Sequence, residues 1–126
     1  MDMMDIKNTT RKKNPPIKFK LIKEFVLGKN YELSLVLIGN DLSRKLNKQH
    51  KKIDKPTNIL TFPLSKTAGE IFINLPLSKK QSLRFERKYN DFVGFLFIHG
   101  LLHLKGYEHS SKMEEEEKKV RNKFNL

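Results

Sequence analysis

The chain has 126 residues, enough for one domain and too few for two of ordinary size. It holds no cysteine, which excludes a disulfide scaffold, a thiolate nucleophile and any Cys-based zinc or iron–sulfur site, so a metal would have to sit on His, Asp or Glu. Against 14 Asp or Glu stand 26 Lys or Arg, and the formal net charge of +12 points to a polyanionic partner unless it reflects lysine-rich composition alone.

Met1 to Thr10 carries Asp2 and Asp5 and has no apolar run of signal-peptide length, so secretion is not expected. Asn14 before Pro15 and Pro16 reads as an N-cap with proline in the first turn. The helix it opens would place Ile17, Leu21, Ile22, Phe25 and Val26 on one face before Gly28. Ile17, Phe19 and Leu21 also alternate as a strand would. Tyr31 to Ile38, with Leu33, Leu35 and Leu37 alternating against Glu32 and Ser34, reads as a central strand. Asn40 is placed to cap a helix carrying Leu42, Leu46 and Gln49, which gives way to a basic loop from Lys51 to Pro56.

Ile59 to Phe62 and Glu70 to Leu75 read as two short strands of a hairpin, joined by the polar stretch from Ser65 to Gly69. Ser78 with Gln81 three residues on is a capping-box signature for a basic helix that pauses near Asn90 and resumes through His103. Its second part, Phe92 to Leu104, is apolar nearly all round and is expected at the centre of the fold. Interrupted by His99 and His103, it falls well short of the roughly 20 apolar residues a bilayer span needs. Gly106 can end it, and a last helix from about Ser110 puts Met113, Val120 and Phe124 on one stripe. In that helix Glu114 to Glu117 reads as a solvated face, with Lys118, Lys119 and Arg121 four residues beyond Glu114, Glu115 and Glu117.

Basic residues cluster twice. Arg44, Lys45, Lys48, Lys51, Lys52 and Lys55 stand against Asp54, and Lys79, Lys80, Arg84, Arg87 and Lys88 against Glu86. No repeat or linker divides the chain. The expectation is a single α+β domain over residues 1–126, with a small central sheet of three to four strands and about five helices. The histidine-bearing helix would be buried, as in zincins.

Three of the four histidines fall in His99-Gly-Leu-Leu-His103-Leu-Lys-Gly106-Tyr-Glu-His109. Residues four apart share a helix face, so His99 and His103 can aim their rings at one point. Gly106 then permits the turn that brings His109 back as a third nitrogen. Three neutral imidazoles suit Zn²⁺ best, with Ni, Cu, Co and Fe also compatible. The spacing matches the metzincin protease pattern except that Gly100 stands where the catalytic Glu would be, which removes the general base for peptide hydrolysis. What remains is a metal with three protein ligands and an open fourth position, suited to activating water.

The same eleven residues resemble the HGxLHLxGYDH signature of the YbeY family, bacterial zinc-dependent endoribonucleases of ribosomal RNA maturation. Leu46-Asn47 with Asp54-Lys55-Pro56-Thr57-Asn58-Ile59-Leu60-Thr61-Phe62-Pro63 resembles the family's LN…DKPTDVLSFP segment, and Gly69-Glu70-Ile71-Phe72-Ile73 its GDIxI strand. The resemblance covers about residues 31–124. It implies one Zn²⁺ on His99, His103 and His109, and cleavage of single-stranded RNA by zinc-activated water. The implied setting is 16S rRNA 3′-end maturation and ribosome quality control in the cytoplasm. Precursor 16S rRNA and the small ribosomal subunit would be the partners, with no membrane involved.

Lys51 stands where the family has a functionally important arginine and is assigned as the catalytic stabiliser of phosphoryl charge, without the planar fork of arginine. Lys48, Lys52 and Lys55 are assigned to the RNA backbone. Glu108 replaces the family's Asp before the third histidine, and either supports a zinc histidine or is exposed. Glu70 is left outside the site, and His50 reads as a surface or partly buried helix residue. Two other readings stay open: a non-catalytic RNA-binding assembly factor with a structural zinc, and a small metalloprotease.

Overall fold

In the computed structural model, which describes residues 3–126, the first strand lies where the sequence carries no strand pattern. β1 (Met4–Asn8) pairs in parallel with β2 (Glu32–Ile38) at one edge of the sheet. Asp5, Ile6 and Lys7 are all exposed, so ladder hydrogen bonds rather than alternating burial hold β1 in place. Of the stretch from Met1 to Thr10, Met4–Asn8 enter the sheet; Met1 and Asp2 lie outside the described residues.

β2 occupies the expected central position, with Leu33, Leu35 and Leu37 almost wholly buried. β3 (Ile59–Ser65) and β4 (Ala68–Asn74) form the expected antiparallel hairpin, and β4 pairs in parallel with β2. The strand order is β1-β2-β4-β3, and five helices complete the α+β architecture.

Helix boundaries depart from expectation where side-chain hydrogen bonds redirect the caps. Helix α1 spans Phe19–Leu27, not from Asn14, whose Oδ1 instead accepts from Asn8 Nδ2 in the turn after β1. Its buried stripe is Phe19, Ile22, Lys23 and Val26, while Leu21 and Phe25 are about half exposed. Lys23 hides this stripe in the sequence: its stem is buried and its ammonium donates to the Lys29 carbonyl.

Helix α2 (Asn40–Lys51) starts after Gly39, so Asn40 is its first residue rather than its cap, and Lys51 belongs to the helix rather than to a loop. Its buried residues are Ser43 and Asn47, whereas Leu42 and Leu46 are half-buried and Gln49 is exposed. Ser43 Oγ exchanges hydrogen bonds with the backbone of Thr57, and Asn47 Nδ2 donates to the Lys55 carbonyl. These bonds fasten the basic segment after α2 to the helix itself.

Helix α3 (Leu75–Arg84) is capped by Asn74, whose Oδ1 accepts from the Leu77 amide; Ser78 sits inside the helix and donates back to the Asn74 carbonyl. Gln81 accepts from Asn58 Nδ2 instead of closing a capping box. The expected pause is a full break, with Glu86 in the left-handed region (φ 54°) before α4 (Tyr89–Lys105). α4 buries Phe92, Val93, Leu96, Phe97, Ile98, Leu101 and Leu102, packed on β3 and β4 and flanked by α1, α3 and α5 (Ser111–Phe124). No helix of the described residues is long and apolar enough to cross a membrane.

Asn74 is fully buried, caps α3 and donates through Nδ2 to Asn40 Oδ1, so it joins the starts of two helices to the end of β4. Asn74→Ala is expected to cost about 2–3 kcal/mol in urea unfolding, a cap plus an orphaned buried partner. Ser110→Ala, which removes the exposed cap of α5 and the hydroxyl's bond to the Glu108 carbonyl, is expected to cost about 1 kcal/mol.

Candidate metal centre

The last turns of α4 bring the histidines together as their spacing predicts. Gly106 adopts φ 111° and lets the Tyr107 amide bond the Leu102 carbonyl, closing the helix and sending the chain back over its own end. His109 arrives from that turn, just before Ser110 caps α5. The ring centroids of His99, His103 and His109 lie 4.6 to 5.0 Å apart, and one nitrogen from each falls within 4.8 Å of the others.

Two contacts fix which nitrogen each α4 ring presents. His103 Nδ1 lies 3.0 Å from the Tyr107 carbonyl, which can only accept, so this nitrogen carries the hydrogen. His99 Nδ1 lies 2.5 Å from Glu117 Oε1 on α5, and donates to it when the carboxylate is ionised. Both rings therefore turn an Nε2 lone pair inward, and the two Nε2 atoms face each other at 3.0 Å. Two neutral lone pairs at that distance repel unless a cation lies between them. Nitrogens of a tetrahedral zinc site, each at about 2.0–2.1 Å from the metal, stand roughly 3.3 Å apart. The donor set thus fits a transition metal, with His99, His103 and His109 able to hold it. Burial, reinforced by the neighbouring His99, holds His103 below the ordinary histidine range and keeps it in the neutral form that ligates.

Glu117 escapes the sequence reading, which assigns Glu114 to Glu117 to a solvated face. It is buried, and Lys119 pairs with Glu116 rather than Glu115. The signal was present: Glu117 falls between Met113 and Val120 on the apolar stripe of α5, where a carboxylate needs a partner. Glu108 is exposed, and Glu117 is the carboxylate that orients a histidine.

Gly100 lies under the site, against the sheet. A Cβ there would meet Ile59 Cδ1 at 3.0 Å, Ile71 Cδ1 at 3.1 Å and Thr61 Oγ1 at 3.3 Å. The position that carries the metzincin base thus points into packed side chains, where no carboxylate fits.

The three histidines open into a cleft of about 370 Å³ whose other walls are Lys51, Ile59, Thr61 and Pro63. Lys51, from the last turn of α2, is brought to the metal centre; Lys48, Lys52 and Lys55 are exposed outside its lining. Lys48 Nζ lies 3.9 Å from Asp54, which also accepts both bonds of Arg44. Thr61, opposite the histidines, is a lining residue the sequence reading did not single out. Glu70 pairs with Phe62 across the hairpin, one residue out of step with Thr61, and so faces away from α4, where it lines a groove with Asp5 and Glu32. His50 is exposed, its ring 4.7 Å from that of Phe62.

A family model described as Endoribonuclease YbeY matches residues 4–125. A protein of Acholeplasma laidlawii named Endoribonuclease YbeY is 32% identical, covering 98% of this chain and 98% of its own. One of the same name from Sulfurimonas denitrificans is 40% identical over 77% of this chain and 75% of its own. A solution structure of a Thermotoga maritima protein superposes with a TM-score of 0.73 at 26% identity, covering 97% of this chain and 91% of that one.

Glu117→Gln removes the charge that fixes the His99 ring and is expected to weaken zinc binding by about 10- to 100-fold, read by competition with a chromophoric chelator. Glu114→Gln, on an exposed position of the same helix, should leave zinc affinity unchanged.

Proposed function

The chain belongs to the YbeY family, and from that premise we propose that it is a zinc-dependent endoribonuclease cutting single-stranded RNA. Its proposed role is 16S rRNA 3′-end maturation and ribosome quality control in the cytoplasm, on precursor 16S rRNA and the small ribosomal subunit. Names shared by the relatives support the activity. The observation that carries it is the cleft itself, where two inward-facing Nε2 lone pairs and His109 lie across from the Lys51 wall.

A bound Zn²⁺ would supply Lewis acidity and lower the pKa of water to about 7. The protein's own groups do the rest. Glu117 and the Tyr107 carbonyl hold two imidazoles in the ligating tautomer, so two of the three ligands are oriented in advance. The Lys51 ammonium offers positive charge to phosphoryl oxygens on the opposite side of the scissile group. Ile59, Thr61 and Pro63 form the remaining wall of the cleft against which the substrate would lie.

Two features weigh against the other readings. A structural zinc is normally closed by a fourth protein ligand, and among the described residues only His99, His103 and His109 converge. A protease of this pattern needs a carboxylate where packed Gly100 stands.

His103→Ala should abolish stoichiometric zinc binding and cleavage of a single-stranded RNA together. Lys51→Ala should keep zinc and lose cleavage by about 100-fold, with Lys51→Arg retaining activity. Retention of both zinc and cleavage by His103→Ala would overturn the assignment. Replacing Lys48, Lys51, Lys52 and Lys55 by Gln should reduce the salt slope of RNA binding by up to roughly 3, since single-strand contacts contribute about 0.7 each.

A further inference from the structure

The second basic cluster, residues 79–88, has no role in the cleft. It surrounds the break between α3 and α4, where Phe85 is 59% exposed and Leu83 74% exposed. From Phe85 a row of rings runs along α4 to the metal centre. Phe85 stacks on Phe92 at 5.9 Å, Phe92 on Phe95 at 6.3 Å, and Phe95 lies 6.1 Å from His99. Two guanidinium groups meet the Phe95 ring, Arg87 at 5.0 Å and Arg121 at 5.6 Å.

These arginines differ from Arg44, which is spent on Asp54. Among the described residues neither Arg87 nor Arg121 has a carboxylate partner, and Arg121 Nε is buried without a hydrogen-bond acceptor. Two like charges gathered on one ring repel each other, and the ring faces offset that only in part. An anion meeting these guanidinium groups would complete the arrangement. An exposed aromatic ring beside unpaired cations, continuous with a metal cleft, is the combination that single-stranded nucleic acid recognises: bases stack and phosphates pair.

We infer that Phe85, Arg87 and Arg121 form a second contact for the RNA strand, a track along α4 that holds the nucleotides flanking the scissile bond on the side of the cleft opposite α2. The inference deepens the reading above and rests on it for the identity of the ligand. Phe85 offers a stacking surface at the outer end, and the arginines bind a backbone phosphate between Phe85 and His99. Lys79, Lys80, Arg84 and Lys88 add charge around the entrance.

The test uses the full chain loaded with zinc and a phosphorothioate RNA single strand of about twelve nucleotides, whose linkages resist hydrolysis, with affinity read by fluorescence anisotropy. Phe85→Ala and Arg87→Gln are each expected to weaken binding at least about fivefold, the lower end of one lost stack. Phe85→Trp should restore it, and Lys7→Gln on β1, an equal charge loss to Arg87→Gln, should change it less than twofold. Zinc content should match the wild type in all these variants, with circular dichroism confirming the fold. If Phe85→Ala and Arg87→Gln bind the long strand as the wild type does, or if Lys7→Gln weakens it equally, the track is wrong while the endoribonuclease reading stands. If the zinc-loaded wild type neither binds nor cleaves single strands, both fall.

Discussion

An α-helix that is apolar on every side has no face to give to water, and α4 is such a helix. Each of its larger buried side chains is worth about 1.5–3 kcal/mol when covered, so the rest of the chain is arranged to cover it. β3 and β4 lie along one side, and α1, α3 and α5 close the others. Close approach to the hairpin depends on Gly100, because even a methyl group there would press on Ile59, Ile71 and Thr61. The covering ends at the last turns, where His99 and His103 are only partly buried. The metal centre is therefore placed by the core: it occupies the last turns of the central helix, where the covering elements leave His99 and His103 accessible.

That placement links metal binding to tertiary structure. His99 belongs to α4 but is oriented by Glu117 of α5, and His103 by the backbone of Tyr107 in the connecting turn. A cation held between the two Nε2 atoms would also tie together the helix, the turn and the last helix. Without a cation, the facing lone pairs and the carboxylate against His99 leave a charge arrangement that a proton or metal must settle. Ligand affinity and the docking of α5 are consequently parts of one equilibrium, which is how a peripheral helix whose surface is mostly polar contributes to the chemistry of the centre.

The histidine cluster was legible because its information is local: eleven residues, a four-residue step and a glycine where the chain must turn. The central strand, the hairpin, the buried helix and its end at Gly106 were legible for the same reason. Features that depend on distant partners were not. β1 is held by its neighbour's backbone, and its own exposed Asp5 and Lys7 give no period. Asn14, Asn40 and Ser78 have the chemistry of caps, yet each is drawn into a bond elsewhere, with Asn8, Asn74 and the Asn74 carbonyl respectively. Lys23 and Glu117 sit on buried stripes under the guise of surface residues. Glu117 shows the lesson most clearly, since one charge within an apolar stripe was readable as an anomaly, but its partner was visible only once α5 lay against α4.

That no carboxylate among the described residues lines the cleft bears on which substrate the site suits. A peptide bond is neutral, so its hydrolysis by a zincin-type centre depends on an added base, and the packing around Gly100 denies the chain that base. A phosphodiester brings its own negative charge to a site whose fixed groups are neutral imidazoles and the Lys51 ammonium, and a metal would add to the attraction. Nearby acids would weaken it. The chain keeps them away: Asp54 is neutralised by Arg44 and Lys48, Glu117 is turned to the far nitrogen of His99, and Glu70 joins Asp5 and Glu32 on the other side of the sheet. Net charge alone would suit any polyanion, or none. Its distribution is more selective, because Asp54, Glu117 and Glu70 are paired or displaced and Glu108 lies outside the cleft lining, while Lys51 is left facing the histidines, and this favours a phosphate at the place where a metal would act.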